Sequence, residues 1–294
     1  MNNINKKTLK MKKLFLAILF FASFICCHAV QYSKADSMKV VSLLKEARKR
    51  KLSGQQECVM FFTRQFYGIP YVAKTLEVNK KEQLIVNLRE LDCTTYVENV
   101  VALTLCVKNG KYGFEDFCNY LRKIRYQKNV PVAYPARLHY YTAWIESNTA
   151  AGICREVQSP VPPFIATQKI RVDFMSKHTD KYPMLHGNAD NISKIREMEK
   201  KLDGKTYRYI PKSQVKNTKL LRQTIHNGDI IVIITNINGL DTQHLGFAAW
   251  HKDGLHLINA SSVHHKVVEE PMLLYTYLQK RKTMPGIRIV RLCD

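Results

Sequence analysis

The chain has 294 residues, 46% of them hydrophobic, with a formal net charge of +22. That hydrophobic share fits a globular protein that buries a sizeable core, and eight cysteines are too few for a disulfide-built scaffold. So basic a balance would suggest nucleic acid in a cytosolic chain, but the basic residues are dispersed and no DNA- or RNA-binding signature stands beside them. Nucleic acid is therefore set aside as a partner.

In chain order, the first segment reads as a leader. Lys10, Lys12 and Lys13 flank Met11, and an apolar run over 14–25, too short to span a bilayer, leads to Cys26-Cys27-His28-Ala29. Cleavage after Ala29 would make residues 1–29 a signal peptide; by length 30–294 could be one large domain or two small ones, and a single domain with helical insertions is expected. A membrane anchor, or a lipoprotein modified at Cys26 or Cys27, is the alternative; bulky residues before both cysteines argue against lipidation. No later stretch is apolar and long enough to cross a membrane, so the mature chain is expected to be periplasmic or secreted, and a monomer. The leader holds five lysines and no acids, so the charge falls to about +17. That charge is a surface suited to anionic envelope polymers, or a solvated basic face with no partner.

Asp36-Ser37 reads as a helix cap before Val40, Val41, Leu43, Leu44 and Ala47 at helical spacing. A second helix is expected over 55–67, ended by Gly68-Ile69-Pro70. Residues 84–91 read as a strand. At Cys93 the pattern changes, and 94–105 repeats apolar residues at helical spacing behind Asp92 as cap. Residues 114–126 form another helix. The stretch 126–183 is harder to read, with a loop at Ser159-Pro160-Val161-Pro162-Pro163. Strands follow at 230–235, 245–250, 255–258, 265–269 and 287–292, with a short helix at 271–279; Asp253-Gly254 marks a hairpin. Helices in the first half and antiparallel strands in the second predict an α+β fold.

Six cysteines remain after cleavage, with no C-x-x-C pair and no zinc-ligand spacing. Cys93 differs from Cys58, Cys106, Cys118, Cys154 and Cys293 in standing where a helix begins. There unpaired N–H groups and the dipole favour a thiolate; the other reading is a packed core cysteine. A nucleophilic cysteine needs a base, and His244, at a strand start with Gly246 two residues on, is the best placed. A third group must accept from the far ring nitrogen, and Asn259 on the next strand qualifies. A two-residue Asp253-Gly254 turn would pair Lys252 with Leu255. His244 and Asn259 then share a face but lie four residues out of direct register, a gap that a bulge or longer turn must close. Arg137, His139 and Tyr140 are candidates for a substrate carboxylate or sugar, or else a packing segment. Ser261 and Ser262 follow Asn259 and could line a cleft. His251, His256, His264 and His265 match no metal-site spacing, and neither a metal nor a cofactor is expected.

Several motifs in order carry a resemblance: Asp-Cys-Thr-Thr-Tyr-Val-Glu at 92–98, Arg-Leu-His-Tyr at 137–140 with Trp144-Ile145, and Phe174-Met175-Ser176 with His178 and Tyr182. Tyr209-Ile210-Pro211, Gly228-Asp229-Ile230-Ile231, Gly239-Leu240-Asp241 with His244-Leu245-Gly246, and Ala260-Ser261-Ser262 complete it. From about residue 40 onward the chain resembles the N-acetylmuramoyl-L-alanine amidase-like proteins of Gram-negative bacteria, relatives of the NlpC-type papain-like cell-wall cysteine peptidases. The resemblance implies a papain-like core, with the cysteine at a helix N-terminus against an antiparallel sheet that carries the histidine. It also implies hydrolysis of the amide between N-acetylmuramic acid and L-alanine in peptidoglycan or its fragments. By motif position Cys93 is nucleophile, His244 base and Asn259 the orienting residue; the family pattern often has histidine where Asn259 stands. Arg137, His139, Tyr140, Asp92, Asp241 and Ser261 are the implied substrate contacts. A stem-peptide endopeptidase cutting after D-glutamate, and a non-catalytic wall-binding protein, are the rival readings.

Overall fold

The computed structural model describes residues 30–293; the leader, its cleavage point and Cys26-Cys27 lie outside the described residues. The first half runs β1 (Val30–Gln31), α1 (Lys34–Lys49), α2 (Gln55–Arg64), β2 (Leu84–Ile85), α3 (Cys93–Lys108), α4 (Phe114–Arg125) and α5 (Tyr141–Ala150). Then come β3 (Cys154–Val157), β4 (Ala166–Lys169), α6 (Phe174–Lys177), α7 (Ala189–Leu202), β5 (Thr206–Pro211) and α8 (Lys219–Thr224). The chain ends with β6 (Ile230–Ile234), β7 (Thr242–Trp250), β8 (Leu255–Ser261), β9 (Lys266–Glu269), α9 (Leu274–Gln279) and β10 (Gly286–Leu292). The fold is thus a mixture of helix and sheet.

Eight strands form one sheet in the order β4-β5-β10-β6-β7-β8-β9, with β3 added to β10, and every pairing in it is antiparallel. β1 and β2 make a separate parallel pair. Side chains alternate across the large sheet. Val232, Leu245, Phe247, Ile258 and Val290 face the helices of the first half, and Ile231, Ile233, Leu257, Ile287 and Ile289 face α8 and α9. Burial on both faces explains why 230–234 reads as an unbroken apolar run. α3 lies under the first face, packed on α1, α2 and α4 and against β7 and β8, and is buried from Thr95 to Val107. A helix apolar around most of its circumference needs such a central place.

Two expected elements change at their ends. α1 is capped by Ser33 rather than by Asp36, whose carboxylate is buried and completes a capping box from the third helical position. The expected strand over 84–91 shortens to β2. Beyond it Asn87 Oδ1 accepts from the N–H groups of Arg89 and Glu90 at 3.0 and 3.1 Å, and Asp36 Oδ1 accepts from Leu88 N at 2.9 Å. These backbone donors are satisfied by side chains, so no neighbouring strand is needed.

Candidate active site

Asp92 caps α3. Its Oδ1 accepts from Thr95 N at 2.7 Å, and Thr95 Oγ1 accepts in return from Asp92 N at 2.9 Å. The cap holds Cys93 as the first helical residue, half-buried beside β7. The Thr94 hydroxyl and the backbone N–H groups of Leu245, the neighbour of His244, and of Thr94 point at the sulfur and favour the anion. Burial opposes them most strongly, followed by the Asp92 charge, and together they push the thiol up to about 12. Cys93 therefore rests protonated, not as the preformed thiolate that a helix N-terminus alone would suggest. The other five cysteines are also free thiols; Cys58, Cys106, Cys118 and Cys154 are buried in the core, and Cys293 is half-buried.

His244 lies near the start of β7, 9% exposed, with its ring stacked on Tyr277 of α9 at 6.4 Å between centroids. Its Nε2 meets Asn259 Oδ1 at 2.9 Å, so the proton is on Nε2 and Nδ1 is left bare as an acceptor. Burial lowers the imidazole pKa below 6.5, against an opposing pull from the Asn259 bond, so the ring rests neutral. The hairpin accounts for the contact. Trp250, not Lys252, pairs with Leu255, so the turn is longer than two residues and the register moves by two. Continued along the strands, this register sets Asn259 opposite Gly246, diagonal to His244 on the same face, within reach of long side chains. Gly246 is needed there: a Cβ would sit 2.6 Å from Ile258 O and 2.8 Å from Leu257 Cδ1.

Behind Asn259, which is fully buried, lies Glu270, 2% exposed. Asn259 Nδ2 donates to Glu270 Oε1 at 3.0 Å, and His264 Nε2 meets Glu270 Oε2 at 3.1 Å. His256 Nδ1 bonds the Glu270 carbonyl at 2.9 Å, and His251 bonds Glu269. Three of the four clustered histidines, His251, His256 and His264, thus have local partners for their rings. Among the described residues no group of three or more histidine, cysteine or acidic side chains is arranged to hold a metal ion.

A cavity of about 190 Å³ opens beside Cys93, lined by Glu77, Asp92, Thr94, Arg137, His139 and Tyr182 among others. Arg137 is buried there against Glu77 and Glu82. His139 is held neutral, chiefly by burial and then by the Arg137 charge, with Nε2 on Tyr134 O at 2.7 Å. The other expected substrate contacts are turned inward. Tyr140 donates to Glu199 at 2.7 Å and accepts from Met175 N at 3.1 Å; Asp241 caps α5 by accepting from Thr142 N at 2.7 Å. Ser261 Oγ accepts from His264 N at 3.3 Å. Each has its polar atoms already paired within the protein, and none of the three lines the cavity. A larger groove of about 670 Å³ shares Leu138 with this cavity and runs against Ala143 and Met198; only the smaller cavity is lined by Asp92 and Thr94, the chain neighbours of Cys93.

The family model described as N-acetylmuramoyl-L-alanine amidase-like matches residues 61–287. The chain belongs to this family. An N-acetylmuramoyl-L-alanine amidase from Bacteroides uniformis is 33% identical with a TM-score of 0.76, over 82% of this chain and 99% of that one. A Bacteroides fragilis protein described provisionally as a xylanase is 37% identical with a TM-score of 0.72, over 78% and 99%. A Legionella pneumophila protein at 23% identity and a TM-score of 0.65, over 89% and 97%, shares the fold. No curated protein matches. The amidase-like match includes Cys93, His244, Asn259 and Glu270, and leaves α1 and the start of α2 outside it.

Glu270 is the part of this amidase-like site that sequence reading passed over. The face argument that joins His244 to Asn259 also holds one hairpin further on. Asn259 pairs with Val268, so Glu270 is diagonal to Asn259 on the same face. The signal was the Glu269-Glu270-Pro271 end of a strand, in which one acid faces inward.

Proposed function

We propose that this chain is a cysteine-dependent amidase that hydrolyses the amide between the lactyl group of N-acetylmuramic acid and L-alanine, in peptidoglycan or its fragments. The reading carries with it an NlpC-type papain-like core, an exported monomer, and residues 30–294 as one catalytic unit. Family membership supports the substrate class, as does the amidase described from Bacteroides uniformis. The observation that carries the chemistry is the 2.9 Å contact of His244 Nε2 with Asn259 Oδ1, one residue from the N–H that reaches the Cys93 sulfur.

With thiol and imidazole both neutral at rest, proton transfer accompanies attack. Nδ1 of His244 takes the Cys93 proton as sulfur bonds to the lactyl carbonyl carbon. Backbone N–H groups at the start of α3 hold the oxyanion. The C–N bond then breaks, and the Nδ1 proton goes to the departing L-alanine nitrogen. Water, deprotonated by Nδ1, attacks the thioester; the C–S bond breaks, the sulfur regains its proton and the lactyl acid leaves. Arg137, His139 and Asp92 shape the cavity that receives substrate.

Purified muropeptides with mass analysis of products test the reading. The wild type should release an intact stem peptide with a free L-alanine amine, and Cys93→Ala should lose on the order of 10³-fold or more in kcat. Cleavage after D-glutamate would refute the assigned bond, and full activity in Cys93→Ala would refute the cysteine mechanism.

A further inference from the structure

An asparagine beside a histidine is ambiguous. Its side chain presents an acceptor on one side and a donor on the other, and a half-turn exchanges them. If Asn259 offered Nδ2 to His244, Nε2 would have to accept, the ring proton would move to Nδ1, and the nitrogen needed as base would be blocked. Something must hold the amide one way round.

We propose that Glu270 does this, and is a positioning residue that fixes the tautomer of His244 through Asn259. A carboxylate only accepts. With Oε1 at 3.0 Å from Asn259, it faces Nδ2 and leaves Oδ1 for His244. The carboxylate is itself held in place. Glu270 N donates to Leu257 O at 2.8 Å, His256 Nδ1 bonds its carbonyl at 2.9 Å, and His264 takes its second oxygen at 3.1 Å. Buried groups of this kind persist where they are hydrogen-bonded, and both oxygens here have a partner. The chain His264–Glu270–Asn259–His244 thus runs from the exposed β8–β9 turn to the base, and each link fixes the donor and acceptor sides of the next. Glu270 touches neither substrate nor reacting atoms.

The assignment rests on the amidase reading for its catalytic consequence, but the tautomer can be read without substrate. Nitrogen-15 NMR of the histidine rings in the purified protein should show His244 neutral with its proton on Nε2. Glu270→Gln can donate as well as accept, so Asn259 is free to turn. The variant should show a share of Nδ1–H tautomer and a fall in kcat of about tenfold or more, with KM and melting temperature little changed. Glu270→Asp, still acceptor-only, should restore the Nε2–H form and most of kcat. A wild-type His244 protonated on Nδ1 would overturn the proposal even if Glu270→Gln fails to fold. So would a folded Glu270→Gln with a pure Nε2–H ring and kcat within twofold of wild type. Should Cys93→Ala retain activity instead, the amidase mechanism fails while the tautomer result stands.

Discussion

At Cys93 the start of α3 and the Asp92 carboxylate act in opposite directions on one thiol. The Thr94 hydroxyl and the N–H groups of Leu245 and Thr94 favour the anion, but burial and the Asp92 charge outweigh them. Asp92 is also the helix cap, and the two roles separate by substitution. Asp92→Asn keeps the acceptor for Thr95 N and removes the charge, so the Cys93 pKa should fall and iodoacetamide should alkylate it several-fold faster at pH 8. Asp92→Ala should do the same and also lose about 1 kcal/mol of stability. An unchanged alkylation profile in both variants would remove Asp92 from the electrostatics of the thiol. At this scale the sequence told much: a cysteine at a change of periodicity, and a histidine and asparagine on one hairpin face. It could not tell how deep the sulfur lies, because burial depends on β7 and α9 arriving from more than a hundred residues away.

Elements were legible where one side chain period dominated. α3, α4 and the β6–β8 strands declare themselves by spacing, whereas α7 and β5 went unread and 84–91 looked like a strand although side chains satisfy its backbone. What the spacing hides is the polar contact between elements. Arg125 of α4 donates from Nε to Glu98 Oε2 of α3 at 2.6 Å and from Nη1 to Ile85 O of β2 at 2.7 Å, all in the interior. Burial raises the Glu98 pKa and the Arg125 charge opposes that rise. Arg125→Met should strand the Glu98 charge and lower stability by about 3–5 kcal/mol in urea unfolding; adding Glu98→Leu should recover a good part of it. A single variant as stable as wild type would mean that the pair is not needed to join these three elements.

For the whole molecule, a basic chain that keeps two histidines neutral in its interior should be sensitive to acid. His139 and His244 both have pKa values lowered below 6.5, chiefly by burial. The unfolded chain takes up these protons near pH 6.5 while the folded one refuses them, so the unfolded state binds more protons in that window. Stability is therefore full above pH 6.5 and falls as pH drops toward the folded pKa values. Each histidine contributes a slope of up to about 1.4 kcal/mol per pH unit. Between pH 6.5 and 5.5, where the unfolded histidines go from half to mostly protonated, the two should lower stability by up to about 2 kcal/mol, on the order of 4–8 °C in melting temperature for a chain of this size. Activity should follow a related limit: His244 must be neutral to act as base, so kcat/KM should hold down to pH 6.5 and decline only below it. His139→Gln, which can still donate to the Tyr134 carbonyl, should remove about half of the thermal slope and leave the acid limb of activity where it is. Melting curves and pH–rate profiles of the two proteins side by side decide this. An unchanged thermal slope in His139→Gln would place the acid sensitivity in the repulsion among surface charges rather than in the buried rings.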